Sequence, residues 1–187
     1  MGALVYSGVA SIDGYTVDET GDFSWATPRP EVHRFINETE AGVGTYLYGR
    51  RIYDTMRGWD PGYALAEQFA FIHDFQEMWR AADKVVYSRT LPAVRTRRTR
   101  LERSFDPAAV AAEARSKPHD VSVGGATLGA QALLGGVVDE IRWYVAPIIV
   151  GGGTPFLPHG LRSTLELRQQ RCFADGTVFL RYGVKHR

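Results

Sequence analysis

The amino-acid sequence predicts an α/β fold, a three-layer doubly wound mixed sheet whose C-terminal strands run antiparallel. Three observations predict it. Short β-branched apolar runs alternate with helix-patterned stretches as far as Gly136. One of these runs ends in Gly124-Gly125 and leads straight into a helical pattern. Beyond Gly136 only strand patterns follow, two of them joined by Ala174-Asp175-Gly176-Thr177, an Asp-Gly hairpin signal.

The elements follow in order. Ala3 to Val9 is the first strand, and Glu31 to Glu40 is a helix behind Pro28 and Pro30, since proline is preorganised for a helix start. Gly44 to Tyr48 is a strand that runs through Gly49 into Arg50-Arg51 at the start of a short helix. Leu65, Phe69, Ile72, Phe75 and Trp79 recur at helical spacing and predict one amphipathic helix, Ala64 to Arg80. Lys84 to Tyr87 is a strand, and Asp106 caps an alanine-rich helix, Pro107 to Ala114. Val121 to Val123 and Thr127 to Leu134 form the strand-turn-helix unit around the glycine pair. The closing strands are Val138 to Val150, whose apolar part begins at Glu140, then Thr164 to Phe173 and Val178 to Val184.

With 187 residues and 44% apolar side chains, the chain has material for one core, so a single domain over 1–187 is expected. A net charge of +1 gives no bias toward nucleic acid or an anionic membrane. The basic run Arg95, Arg97, Arg98, Arg100 and Arg103 lacks interleaved aromatics and reads as a solvated edge, some of whose arginines add field near a bound phosphate. Cys172 is the lone cysteine, which excludes an internal disulfide and fits a reducing, cytoplasmic setting. The N-terminus has no basic n-region, and no stretch reaches the ~20 apolar residues of a membrane span. His33, His73, His119, His159 and His186 show no metal-ligand spacing, and no Gly-x-Ser-x-Gly elbow or zinc-deaminase motif is present.

The candidate chemistry gathers at three strand ends. At Gly124-Gly125 a backbone without Cβ atoms, followed by free helix N–H groups, suits a pyrophosphate, and an ordinary αβ turn accounts for the pair equally well. Arg50 and Arg51 suit an oxyanion such as a 2′-phosphate, or cap a solvated turn. Ser88 and Arg89 end the third strand, and all three ends belong on one side of a sheet.

These segments, with Ser7 to Tyr15 and Val138 to Leu157, resemble the dihydrofolate reductase superfamily. The resemblance is to the reductase domain of the bifunctional riboflavin deaminase-reductase, here in a stand-alone form, and spans nearly the whole chain. It implies an NADPH-dependent oxidoreductase that reduces a small heterocycle, of the kind of 5-amino-6-(5-phosphoribosylamino)uracil reductase or dihydrofolate reductase. It implies that Gly49, Arg50, Arg51, Ser88 and Arg89 surround the 2′-phosphate, and that Val123, Gly124, Gly125, Ala126, Thr127 and Leu128 hold the pyrophosphate. Val9 and Ala10 then lie near the nicotinamide, and Ile52 departs from the family's usual threonine. A homodimer is expected from the same resemblance, with the strand Glu140 to Val150 at its interface.

Asp13 matches a loop motif of the riboflavin-type branch and stands to bind a heterocycle or assist proton transfer, although its residues alone read as an Asp-Gly turn. Glu31 stands where dihydrofolate reductases place the carboxylate that grips the pterin, given an insertion near Arg29-Pro30. The helix dipole favours a first-turn carboxylate without any substrate. A non-catalytic protein binding NADP(H) or another nucleotide on the same three strand ends is the competing class.

Overall fold

A computed structural model describes residues 1–185, which leaves His186, one of the scattered histidines, outside the described residues. Among the described residues, ten strands and five α-helices follow the expected alternation. The strands are β1 (Leu4–Ser11), β2 (Tyr15–Val17), β3 (Val43–Gly49), β4 (Asp83–Tyr87), β5 (Thr99–Glu102), β6 (Asp120–Gly124), β7 (Glu140–Ala146), β8 (Thr154–Pro155), β9 (Thr164–Cys172) and β10 (Val178–Lys185). The helices are α1 (Pro30–Glu40), α2 (Arg50–Met56), α3 (Ala70–Ala81), α4 (Pro107–Ser116) and α5 (Ala126–Leu134).

Eight strands form one sheet in the order β5-β4-β3-β6-β1-β7-β10-β9, and β2 pairs with β8 in a small separate sheet. Pairing is parallel from β5 to β7, while β10 runs antiparallel to both neighbours. The chain winds outward from β1 through β3 and β4 to β5. It then returns to insert β6 between β3 and β1. A crevice at such a reversal, beyond the carboxyl ends of the strands, is where open α/β sheets bind ligands.

Side-chain alternation splits the core between the two faces. Leu4, Tyr6, Leu47, Val85, Val121, Val123 and Ile141 meet Val110 and Ala114 of α4 and Leu128, Ala132 and Leu133 of α5. On the other face Tyr46, Tyr48 and Val86 pack against Phe75 and Trp79 of α3, and Tyr144 and Phe179 against Val32 and Phe35 of α1. That second face also buries charge. Arg142 bonds Glu140 at 2.7 Å and reaches Glu40 at 3.4 Å, while Arg181 lies 2.8 Å from Glu140.

Three expectations need correction. The helix expected over Ala64 to Arg80 is two elements, a 3₁₀ turn Ala64–Glu67 and α3, because Phe69 takes an extended conformation (φ −129°, ψ 113°). Leu65 and Phe69 stay exposed, so the apolar period continued on the surface after the buried stripe had ended. The strand expected to reach Val150 stops at Ala146, since Pro147 has no N–H for the ladder. β7 itself lies inside the sheet between β1 and β10, so both of its edges are paired within the chain. The basic run is an edge, as read, but it contains β5, which pairs with β4.

No helix among the described residues is long and apolar enough to cross a membrane, and no group of three or more His, Cys, Asp or Glu among them is arranged to hold a metal ion.

Candidate functional site

The strand registers bring the three predicted ends level. Tyr48 pairs with Gly124 on one side and Val86 on the other, and Gly49 pairs with Tyr87. Gly49, Gly124 and the Tyr87-Ser88 junction therefore lie within about a residue of one row at the carboxyl end of the sheet. β1 reaches further, because Tyr6 pairs with Val123 and the strand continues through Val9 and Ala10 to Ser11. From β4 to β1 the row crosses three strand spacings, roughly 14 Å.

β6 supplies the middle of the row. Gly125 is the N-cap of α5 at φ +89° and ψ 136°, a conformation that only glycine adopts without strain, and no side chain caps the helix. The first-turn N–H groups of α5 are thus left for an acceptor, with the positive end of the helix behind them. A Cβ on Gly124 would lie 2.7 Å from the Tyr48 ring, so that glycine is required by packing. A Cβ on Gly125 would come within 3.1 Å of Ile52, the residue in place of the expected threonine. Gly124, Gly125 and Thr127 retain surface here, whereas Val123, Ala126 and Leu128 are buried and build the turn from beneath.

β3 and β4 supply the cationic end. Gly49 caps α2 with open space where its Cβ would be, and Arg50 and Arg51 are exposed. Arg50 donates to the Thr90 hydroxyl at 3.1 Å and lies 3.6 Å from Asp54, which tethers it toward the β4 loop. Arg89 is exposed on that loop. The Ser88 hydroxyl accepts a hydrogen bond from the Leu91 N–H at 3.0 Å, so it closes the turn that carries Arg89.

β1 supplies the opposite end. Ala10 has no exposed surface, while Val9 is only partly buried against the Phe35-Tyr144-Phe179 cluster, so of the two Val9 is the one that can meet anything lying over the strand. Asp13 follows in the turn after β1. Its carboxylate accepts from the Gly151 N–H at 2.8 Å and the Val150 N–H at 3.2 Å, joining that turn to the glycine-rich loop after β7. A hydrogen bond from Ser11, with those two amides, holds its carboxyl below the ordinary carboxylate value. Asp13 is therefore ionised at neutral pH, an acceptor without a proton to give.

Glu31 is exposed in the first turn of α1, and its carboxylate lies 3.3 Å from Arg171 near the end of β9. Arg171 is held over Phe35 and Phe173, 4.8 and 4.9 Å from the ring centroids. The cross-strand pairs Val9-Tyr144, Tyr144-Phe179 and Phe179-Arg171 put Arg171 in the row of Val9 on the α1 face. The Arg171 contact has no sequence signal, because nothing local to either residue records a pairing across 140 positions.

Fold and strand-end row together define a class: a dihydrofolate reductase-like α/β domain that gathers glycine turns and arginines at the carboxyl end of its sheet. The chain belongs to the RibD C-terminal domain family, which it matches over residues 3–180. It is 24% identical over 178 residues to the uncharacterized protein YyaP of Bacillus subtilis (strain 168), covering 92% of this chain and 89% of that one. A crystal structure of a putative riboflavin biosynthesis protein from Shewanella sp. PV-4 shares the fold with a TM-score of 0.75 at 19% identity, covering 98% and 99% of the two chains. A pyrimidine reductase-like protein from Corynebacterium diphtheriae superimposes with a TM-score of 0.68 at 15% identity over 100% of this chain and 93% of that one. The Thermotoga maritima diaminohydroxyphosphoribosylaminopyrimidine deaminase/5-amino-6-(5-phosphoribosylamino)uracil reductase gives 0.65 at 14% identity, with 98% of this chain matching 57% of that one.

Proposed function

We propose that this protein is an NADPH-dependent reductase that delivers hydride to a small flat heterocycle such as a pyrimidine, pterin or folate-like ring. The observation that carries the reading is the order of groups along the sheet edge: guanidinium groups at β3 and β4, an uncapped glycine turn at β6, and the partly exposed Val9 near the end of β1. That order matches a dinucleotide laid across the strands with its 2′-phosphate by Arg50, Arg51 and Arg89, and its pyrophosphate on Gly124, Gly125 and the first turn of α5. The residues fit such a group, since Gly49 leaves open space and Gly125 holds its amide-bearing turn in a left-handed conformation. When bound, the cofactor supplies the hydride.

The chain's own residues position and exclude. Val9, beside the buried Ala10, bounds the β1 end, and Asp13 fixes the Val150-Gly151 loop to the turn that follows β1. Because Asp13 is ionised, it gives no proton, and water supplies the one that completes the reduction. Arg171 holds the Glu31 carboxylate at the α1 end of the groove.

NADPH and NADH fluorescence titrations test the cofactor half. Arg50→Ala and Arg51→Ala are each expected to weaken NADPH binding about ten-fold and NADH binding little, since a charge-assisted phosphate contact contributes roughly 1.5–3 kcal/mol. Equal affinity of the wild type for both cofactors sinks the 2′-phosphate assignment. NADPH oxidation across pterin, folate and pyrimidine panels tests the rest, and binding without turnover on any of them would instead mark a non-catalytic NADP(H)-binding protein.

A further inference from the structure

The five arginines from Arg95 to Arg103 do not act alike. Arg98 pairs with Asp83 at 2.8 Å, at the far end of β4, and Arg100 pairs with Glu113 at 2.8 Å. Arg103, directly after β5, turns to the loop that follows β4. Its Nη1 donates to the Ser88 carbonyl at 3.0 Å and to the Leu91 carbonyl at 2.7 Å. The same four-residue turn is closed inside by the Leu91 N–H on the Ser88 hydroxyl, and Ser88 itself is laddered to Glu102 through its N–H at 2.9 Å. One guanidinium thus ties both ends of the segment that carries Arg89 and Thr90.

We propose that Arg103 is a positioning residue for the 2′-phosphate subsite, holding the Ser88–Leu91 turn in the shape that presents Arg89 to the phosphate and Thr90 to Arg50. The proposal rests on the NADPH reading given above. Arg89 and Thr90 are exposed and contribute nothing to the core, so burial does not order them. A turn ordered before binding spares the ligand the entropy of fixing it, and that saving appears as affinity. The turn lies at the β4 end of the row and the ring-binding end at β1, so the effect belongs to the phosphate that distinguishes NADPH from NADH. Lysine in place of Arg103 keeps the charge but ends one bond short of the Nη1 that meets both carbonyls, so it holds the turn less well.

The test is a matched set of NADPH and NADH titrations on the wild type, Arg103→Ala, Arg103→Lys and Arg51→Ala, with circular-dichroism melts on each. Arg103→Ala is expected to lose roughly ten-fold in NADPH affinity while NADH affinity changes less than about two-fold. Arg103→Lys should fall between the two. A general loss of structure would lower both affinities together, so the ratio separates positioning from folding. If Arg103→Ala melts before it can be titrated, Arg103→Lys decides: a wild-type ratio overturns the proposal, and a reduced ratio supports it. An Arg103→Ala protein with the wild-type ratio overturns it while leaving the Arg51 assignment standing. A wild type without NADPH preference, matched by Arg51→Ala, overturns the underlying reading and this proposal with it.

Discussion

Gly125 concentrates backbone geometry and ligand access in one residue. Its φ of +89° makes Gly125→Ala costly by about 1–3 kcal/mol, to be read from urea unfolding. Adding Ile52→Ala should not recover that loss, because the strain sits in the backbone; recovery would place it instead in the 3.1 Å contact with Ile52. Asp13 offers a second residue-scale test. Replacing it with Ala removes the acceptor for the Val150 and Gly151 amides, whose hydrogen exchange should quicken, while Asn, which keeps one oxygen, should quicken them less. Unchanged exchange in both variants would detach Asp13 from the loop. These residues were legible in sequence as a glycine pair and an Asp-Gly turn, since both signals are local. What each does was not, because Ile52 and Gly151 reach them only through the fold.

Elements behave likewise. β1, β3, β4 and β6 were readable because strands buried on both faces are short and β-branched. β5 was hidden, since an edge strand written Thr99-Arg100-Leu101-Glu102 carries no apolar run, and the break at Phe69 was hidden by apolar side chains that continue the period on the surface. Least visible was the joining of α1, β7, β9 and β10 by charge. Arg142, buried between Glu40 and Glu140, also donates to the Thr39 carbonyl at 2.6 Å. Arg142→Met should destabilise by roughly 3–5 kcal/mol, because Glu40 stays buried without its cation and Glu140 keeps only Arg168 and Arg181. In the triple variant with Glu40→Gln and Glu140→Gln most of that loss should disappear, and an equally unstable triple would mean that Arg142 acts through packing alone.

At the scale of the whole molecule, stability should depend on alkaline pH in two opposing ways. Burial pushes the Lys84 ammonium down to about 8 from 10.5, so between these values the unfolded chain holds a proton the folded one lacks, and stability rises with pH. Burial raises Tyr6, Tyr48 and Tyr144 above the ordinary 10.0, so above that pH the folded chain holds the extra protons and stability falls. Urea midpoints should therefore climb from pH 8 toward 10 in the wild type relative to Lys84→Met; parallel curves would mean that Lys84 stays charged throughout. The insertion of β6 between β3 and β1 has a further consequence, for the order of assembly. Until residues 120–124 have been made, β1 and β3 have no partner in common, and a nascent chain exposes two open strand edges where the finished protein has a continuous ladder. The segment that closes that gap is the one that ends in Gly124-Gly125, so the β3-β6-β1 ladder and the glycine turn are completed together.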